Sequence, residues 1–217
     1  MTTLRSLSEV AATISAAAGP QRRTLVGLAG APGAGKSTIA EALVDLLGPT
    51  AALLPMDGFH LPQATLRALG RRDRMGAPDT FDVEGFLATL TALRAATPRS
   101  GAGGDSAAPV LAPGFDRERE EPVPDAIAIA RETATVIVEG NYLLLDSGGW
   151  GRAAALLDLT FFVAVDHDLR LRRLIARHER FGKTAAQARA WALGPDERNA
   201  ELVEATAARA DHRIELG

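Results

Sequence analysis

Residues 30 to 38 combine glycines, a lysine and two hydroxyl side chains at a spacing suited to phosphate chemistry. The segment is Gly30, Ala31, Pro32, Gly33, Ala34, Gly35, Lys36, Ser37 and Thr38, a full match to G-x-x-x-x-G-K-[ST] over its first eight positions. Glycines let successive backbone N–H groups converge, and a following helix directs its positive dipole end to the same point. We predict that Lys36 reaches the β and γ phosphates of a nucleotide and that Ser37 coordinates Mg²⁺.

Two carboxylates come directly after predicted strands. Residues 51–55 and 135–138 are apolar runs typical of buried strands, and they are followed by Asp57 and Glu139. Ligands of open parallel sheets bind beyond the carboxyl ends of the strands. We expect Asp57 to orient or deprotonate an acceptor hydroxyl and Glu139 to hold Mg²⁺. The structural alternatives are a turn-forming aspartate and a buried acid without chemistry.

Arginines on a predicted helix over residues 168–180 are candidates for covering the transferring phosphoryl group. Arg173 and Arg177 are four residues apart and therefore share a face of that helix. Positive charge there would stabilise the charge that develops during transfer. A solvated helix face is the alternative for both.

The members of a further set of polar residues are candidates for contacts to the acceptor. For each of them a surface or helix-capping role is an equal alternative. The set is His60, Arg71, Arg72, Asp82 and Arg117.

The order of elements predicts an α/β fold. Strands over residues 24–29, 51–55, 135–138, 159–165 and 212–216 alternate with helical segments, and the connections are long enough for parallel pairing. This pattern predicts three layers, with a parallel sheet covered on both faces. An amphipathic helix is expected over residues 3–18, a surface excursion over 61–79, and a low-complexity loop over 97–108.

Length and composition favour one domain that handles small molecules. The 217 residues carry a net charge of −3, without a long run of one sign, and they include no cysteine. Nucleic-acid coating, a polybasic membrane patch, thiol chemistry and a disulfide framework are therefore not expected. No apolar run is long enough to span a bilayer, so we expect a cytoplasmic protein.

The glycine-rich loop occurs in several classes of nucleotide-binding protein, so other segments must distinguish between these classes. A GTPase reads guanine with Asn-Lys-x-Asp, but the only lysine outside the loop is Lys183, within Phe-Gly-Lys-Thr. A ring ATPase needs further domains. A small-molecule kinase needs an acceptor pocket, a carboxylate and covering positive charge, and the sequence has candidates for all three.

Five ordered motifs carry a resemblance to a known group. Besides the loop they are Pro-Met-Asp-Gly-Phe-His-Leu (55–61), Gly-Ala-Pro-Asp-Thr-Phe-Asp (76–82), Pro-Gly-Phe-Asp-Arg (113–117) and Val-Ile-Val-Glu-Gly-Asn-Tyr (136–142). They resemble the P-loop kinases that include uridine kinase, phosphoribulokinase and bacterial pantothenate kinase. Within this group they are most similar to the nucleoside/nucleotide kinase-like proteins, some of which are called fructose-transport-system kinases.

The resemblance implies a P-loop NTPase fold with a five-stranded parallel sheet. It also implies ATP as phosphoryl donor, Asp57 as catalytic acid/base, and a helical lid over about residues 170–190 that contains Arg173 and Arg177. Residues 172–178 resemble the lid segment of uridine kinases, except that His178 stands in place of the usual acid. Relatives in this group often form dimers, which makes a homodimer an expectation.

Together these features predict an ATP- and Mg²⁺-dependent kinase that phosphorylates a hydroxyl of a small metabolite such as a nucleoside, a sugar or a pantothenate-like compound. The alternative is a switch that binds and slowly hydrolyses ATP without a small acceptor. The sequence does not name the acceptor.

Overall fold

The protein is described by a computed structural model that covers residues 1–19, 22–96 and 108–216. The loop predicted over residues 97–108 lies outside the described residues except for its last position. No helix in the described ranges has both the length and the apolar character needed to cross a membrane.

The centre of the fold is a sheet of six strands, all parallel, in the order β1-β8-β7-β2-β6-β3. A parallel sheet was predicted, and this is confirmed. Its strands are β1 (Thr2–Leu4), β2 (Thr24–Gly30), β3 (Ala51–Pro55), β6 (Thr135–Gly140), β7 (Leu159–Val163) and β8 (His212–Ile214).

The prediction of five strands missed β1, which had been assigned to the first helix. Ser6 forms a capping box with Glu9, so the helix begins at Leu7 instead of residue 3. The residues before the cap are then free to extend, and Thr2–Leu4 pair with His212–Ile214 at the edge of the sheet.

Helices cover both faces of the sheet, as predicted. They are α1 (Leu7–Ala17), α2 (Lys36–Leu47), α3 (Gln63–Ala68), α4 (Val83–Ala95), α5 (His167–Arg180), α6 (Ala185–Leu193) and α7 (Pro195–Glu204). Side chains of α1 and α2 pack with Val26 and Ile137 on one face, whereas α4 and α7 pack with Leu25 and Val136 on the other. Adjacent strand residues point to opposite faces, so both sides of the sheet are apolar and both need a helical layer.

The strand β2 lies in the middle of the sheet, between β6 and β7, and all of its residues are buried. The loop that follows β2 therefore starts at the centre of the edge where the strands end. Glu139 on β6 is in register with Leu28 of β2 and with Pro55 of β3. This pairing brings Glu139, the loop and the residues after β3 to the same edge.

A separate two-stranded antiparallel sheet consists of β4 (Val110–Asp116) and β5 (Glu121–Ile129). The sequence predicts short strands over residues 109–116 and 126–130 on either side of a charged turn at 117–121, and β5 is longer than the second of these. The turn places Arg117 and Glu120 over the end of the main sheet.

The surface excursion predicted over residues 61–79 is buried only at Gln63 and Leu66, but it contains a short helix, α3, that was not predicted. Leu66 of α3 is fully buried. The side-chain amide of Gln63 donates to the carbonyl of Glu120, and its backbone N–H donates to the Glu121 carboxylate at 3.1 Å. These tertiary contacts supply the partners that a short polar helix lacks by itself.

Candidate active site

The loop after β2 has the backbone geometry of an anion cradle. Gly33 and Gly35 have φ values of 83° and 90°, in the left-handed region that favours glycine. A Cβ at Gly33 would lie 2.7 Å from Cγ of Leu174 on α5, so the loop is also too tightly packed for a side chain. The N-terminus of α2 has no side-chain cap, which leaves its backbone N–H groups for a ligand.

Lys36 opens α2 and lies almost fully inside the protein. Its side chain is bent back over the loop, and Nζ donates to the carbonyl of Ala31 at 3.1 Å. Burial lowers the pKa of Lys36 to about 8, although the charges of Glu139 and Asp57 act in the opposite direction. The ammonium is thus poorly solvated, and a phosphate group would restore the interactions that it lost on burial.

Ser37 and Glu139 form the pair predicted to hold a metal. The Oγ atom of Ser37 donates to Oε1 of Glu139 at 3.1 Å. Burial, with the nearby charge of Asp57, raises the pKa of Glu139. Hydroxyl and carboxylate oxygens are ligands that Mg²⁺ prefers, and this ion usually completes its shell with phosphate oxygens and water. The two side chains therefore fit a site for Mg²⁺ beside a bound triphosphate.

Asp57 lies in a 3₁₀ turn, Met56–Phe59, that follows β3 immediately. Its Oδ2 accepts a hydrogen bond from Arg117 at 2.9 Å, and its side chain is 27% exposed. Burial alone would raise the pKa of Asp57, but the neighbouring basic groups, His60 first and then Arg117, Arg177 and Lys36, hold this pKa below the usual value. The carboxylate is therefore ionised near neutral pH and can accept a proton.

The glycine after Asp57 is required by the second sheet. A Cβ at Gly58 would lie 2.0 Å from the carbonyl oxygen of Pro113 on β4, so only glycine lets β4 cross the turn. This close approach brings Arg117, just past the end of β4, to Asp57. The Asp-Gly pair therefore has both a packing role and a role in shaping the site.

A first cleft, of about 150 Å³, is lined by residues of the loop, by Asp57 and by residues of α5, α6 and α7. It contains the predicted residues Lys36, Ser37, Asp57, Glu139 and Arg177. The other lining residues are Pro32, His60, Arg72, Met75, Gly76, Phe81, Phe115, Arg117, Glu120, Gly140, Asn141, His178, Phe181, Lys183, Trp191, Asp196 and Asn199.

A second cleft, of about 800 Å³, opens on the other side of the loop. Ala34, Gly35 and Thr38 line it from the loop side, and Arg173 lines it from α5. The guanidinium of Arg173 comes within 3.4 Å of the position that a Cβ on Gly35 would take. Arg173 and Arg177, which were expected to act together, therefore line different clefts on either side of the loop.

Three of the five residues predicted to contact the acceptor line the first cleft, and two do not. His60, Arg72 and Arg117 lie in its wall. Arg71 instead donates to the carbonyl of Asp79 at 2.7 Å and pairs with its carboxylate, outside the cleft. Asp82 is the N-cap of α4 and accepts from the N–H of Gly85 at 3.0 Å. For Arg71 and Asp82 the structure favours the alternative role of surface pairing or capping.

His60 packs against an aromatic ring. Its imidazole stacks on Phe81 with ring centroids 3.9 Å apart, and its Nδ1 has no hydrogen-bond partner among the described residues. Burial lowers the pKa of His60, with Asp57 acting in the opposite direction.

The far wall of the first cleft was not predicted from the sequence. It consists of Lys183, Trp191, Asp196 and Asn199 from the segment after α5, with Glu120 from the β4–β5 turn. His178, noted only as a departure from the lid pattern, pairs with Asp196 at 2.7 Å. The sequence did contain a signal for this wall. Asp196 and Asn199 are polar, yet their helical spacing puts them on the same buried stripe of α7 as Ala200 and Val203.

Comparison with known proteins identifies the group to which this site belongs. The sequence model of the phosphoribulokinase/uridine kinase family matches residues 25–185. The chain belongs to the phosphoribulokinase/uridine kinase family. The matched residues include the loop, Asp57, Glu139, Arg173 and Arg177, so the resemblance inferred from the motifs is confirmed.

Similar proteins within the family are bacterial and fungal. The crystal structure of a candidate fructose transport system kinase from Silicibacter sp. TM1040 has a TM-score of 0.85 at 35% identity and covers 97% of this chain and 99% of its own. The uncharacterized Escherichia coli protein YggC is 36% identical over 202 residues, 91% of this chain and 79% of its own length. A candidate uridine kinase of Schizosaccharomyces pombe is 35% identical over 170 residues, 73% and 67% of the two chains.

Proposed function

We propose that this family member is an ATP- and Mg²⁺-dependent kinase that transfers the γ-phosphoryl group to an alcohol group of a small metabolite. The observation that carries the proposal is the first cleft, in which Asp57 faces the same space as Lys36 and Ser37 of the loop. A nucleotide switch needs the loop but not a second polar wall opposite a carboxylate. Residues 1–217 would act as one kinase domain, with α5 and α6 as its lid.

The two clefts suggest how ATP would lie. The triphosphate would follow the loop, held by its backbone N–H groups and by Lys36. The nucleoside part would occupy the second cleft, beside Thr38 and Arg173. Ser37 and Glu139 would hold Mg²⁺, which when bound neutralises phosphate charge.

The transfer itself would be a direct in-line displacement. The acceptor oxygen forms a bond to the γ phosphorus while the bond to the bridging oxygen breaks, and ADP leaves with that electron pair. Asp57 takes the proton of the acceptor hydroxyl, which its ionised state allows. Arg177, which forms no ion pair among the described residues and lies close enough to lower the pKa values of both Lys36 and Asp57, would stabilise charge on the moving group.

A screen of ADP release tests the proposal. The full chain with MgATP is assayed against sugars, nucleosides and hydroxy acids, and a kinase shows a large rate that depends on one of them. Slow ADP release that is the same with every compound would instead identify the nucleotide switch.

The low pKa of Lys36 predicts that nucleotide binding depends on pH. Free Lys36 loses its proton near pH 8, but phosphate binds best to the ammonium. MgATP affinity should therefore fall above that pH, by up to about tenfold per pH unit, and binding at pH 9 should take up a proton. Calorimetry in buffers of different ionisation enthalpy measures this uptake.

The matched variant is Lys36→Arg, whose guanidinium stays charged throughout this range. It should bind MgATP without proton uptake. Absence of uptake at pH 9 in the unaltered protein would contradict the contact between Lys36 and phosphate.

Replacement of Arg177 by alanine should lower kcat about tenfold and leave MgATP affinity nearly unchanged, because its contribution is made mainly in the transition state. Arg173→Ala, on the other side of the loop, should act mainly on the KM for ATP. Steady-state kinetics with both substrates varied separates these effects, and identical profiles for the two variants would contradict the different roles.

A further inference from the structure

The wall of the first cleft opposite Asp57 contains two buried polar side chains on α7. Asp196 and Asn199 lie three residues apart on this helix and are only 7% and 4% exposed. Both line the cleft, and Ala200 and Val203 continue the same buried stripe. Buried polar groups are normally hydrogen-bonded, so the partners of this pair need an explanation.

The hydrogen bonds among the described residues leave most polar side-chain atoms of Asp196 and Asn199 without a partner. Asp196 is bonded through Oδ2 to His178 at 2.7 Å, and the described residues make no other side-chain hydrogen bond to it. The Asn199 amide makes none to any described residue, yet its atoms are not among those sealed from solvent. Because Asn199 is buried and lines the cleft, its amide opens into the cleft.

Three of the cations that line the first cleft are already paired, and the two that form no ion pair among the described residues, Lys36 and Arg177, are those assigned above to the phosphates of ATP. Glu120 forms ion pairs with Arg72 and, at 3.4 Å, with Lys183. Arg117 is paired with Asp57. An acceptor carboxylate would have to displace one of these anions, whereas a hydroxyl would meet free amide and carboxylate atoms. The charge pattern therefore favours a neutral acceptor over an anionic one.

Aromatic side chains complete the wall. Trp191 and Phe181 line the cleft on the side of α6, and the ammonium of Lys183 lies 5.3 Å from the centroid of the Trp191 ring. Small-molecule sites typically combine apolar surfaces with a few placed polar groups. A polyhydroxy ring matches this combination, since it has C–H surfaces for the aromatic side and hydroxyl groups at its edge.

We propose that Asp196 and Asn199 bind neighbouring hydroxyl groups of a neutral polyhydroxy acceptor and so determine the specificity of the cleft. The Asp196 carboxylate accepts from one hydroxyl, and the Asn199 amide can donate to or accept from the next. This inference rests on the proposed kinase function. The shared ligand chemistry is a vicinal diol, which occurs both in free sugars and in the ribose of nucleosides.

The first experiment compares acceptors of different charge with the full chain and MgATP. D-Fructose and D-ribose represent free sugars, uridine represents nucleosides, and D-glycerate and pantothenate are the anionic probes. We expect a neutral probe to exceed both anionic ones in kcat/KM by at least about tenfold, the scale of one well-placed hydrogen bond. A preference for a sugar would identify a free sugar as the source of the vicinal diol, and a preference for uridine would identify a nucleoside.

The second experiment uses Asn199→Ala, which leaves the pair of His178 and Asp196 intact. It should lower kcat/KM for the preferred neutral probe about tenfold, mainly through KM, and leave the affinity for a non-hydrolysable ATP analogue unchanged. Asp196→Asn should act in the same direction. If Asp196→Asn does not fold, Asn199→Ala decides. The control is Glu201→Gln, on the exposed side of α7, which should change neither value.

Calorimetry of the neutral probes, in the presence of the ATP analogue and Mg²⁺, separates this inference from the kinase proposal. Binding that Asn199→Ala weakens, without any ADP release, would support the acceptor site and refute the kinase. A preference for D-glycerate or pantothenate, or an unchanged KM in Asn199→Ala, would overturn the inference and leave the kinase standing.

Discussion

Replacement of Asp57 by asparagine is expected to lower kcat about a hundredfold or more while MgATP still binds. Asparagine keeps the shape of the side chain and can still contact Arg117, but it cannot take the proton of the acceptor hydroxyl. The hydrogen bond to Arg117 and the surrounding positive charges keep Asp57 ionised, which a proton acceptor requires. A coupled ADP assay with the acceptor found in the screen measures the loss.

The matched control for this change is Asp45→Asn, on the exposed surface of α2. It should leave kcat and both KM values unaltered. Full turnover in Asp57→Asn would refute the role of Asp57 in proton transfer, and loss of MgATP binding would show that its role is to shape the loop.

Removal of the Lys36 side chain is expected to affect binding and rate together. The ammonium is the one buried cation on the loop itself, and its contact with the β and γ phosphates would persist from the bound state into the transition state. Lys36→Ala should therefore weaken MgATP binding at least about tenfold and lower kcat/KM about a hundredfold or more. Calorimetric titration and steady-state kinetics measure the two effects.

Lys36→Ala also removes the free-energy cost of burying the ammonium, so the stability of the protein is a second quantity to measure. A buried ammonium with a lowered pKa costs folding free energy while it is protonated, so the free variant should be no less stable than the unaltered protein below pH 8. Thermal unfolding without nucleotide measures this. Unchanged MgATP affinity in the variant would contradict the assignment of Lys36 to the phosphates.

Much of the fold follows from local patterns. The sequence predicts a helix over about residues 36–47, ended by Gly48 and Pro49, and a strand over the short apolar run 51–55, and these are the bounds of α2 and β3. The strand at Thr2–Leu4 did not follow, since three residues carry too little periodicity and this strand exists only through its pairing with β8. The helix α3 was also missed, because its partners come from the β4–β5 turn.

The residues of the candidate site likewise divide into those that local patterns predict and those that they do not. Gly30 to Ser37, Asp57 and Glu139 could be recognised because each lies at or just past the carboxyl end of a strand, and parallel strands end at a common edge. Arg71 and Asp82 do not line the first cleft, because their actual partners, Asp79 and Gly85, are local.

What the sequence determined by itself is therefore the glycine-rich loop that lines the cleft, the parallel sheet that positions it and the family of the protein. Contiguous residues encode a backbone cradle, and alternating apolar runs encode strands. Only the tertiary structure shows the wall that we propose for the acceptor, where Asp196 and Asn199 line the same cleft as Asp57. These residues are more than a hundred positions apart in the chain. Their meeting depends on how α7 packs on the sheet, and no local propensity specifies that contact.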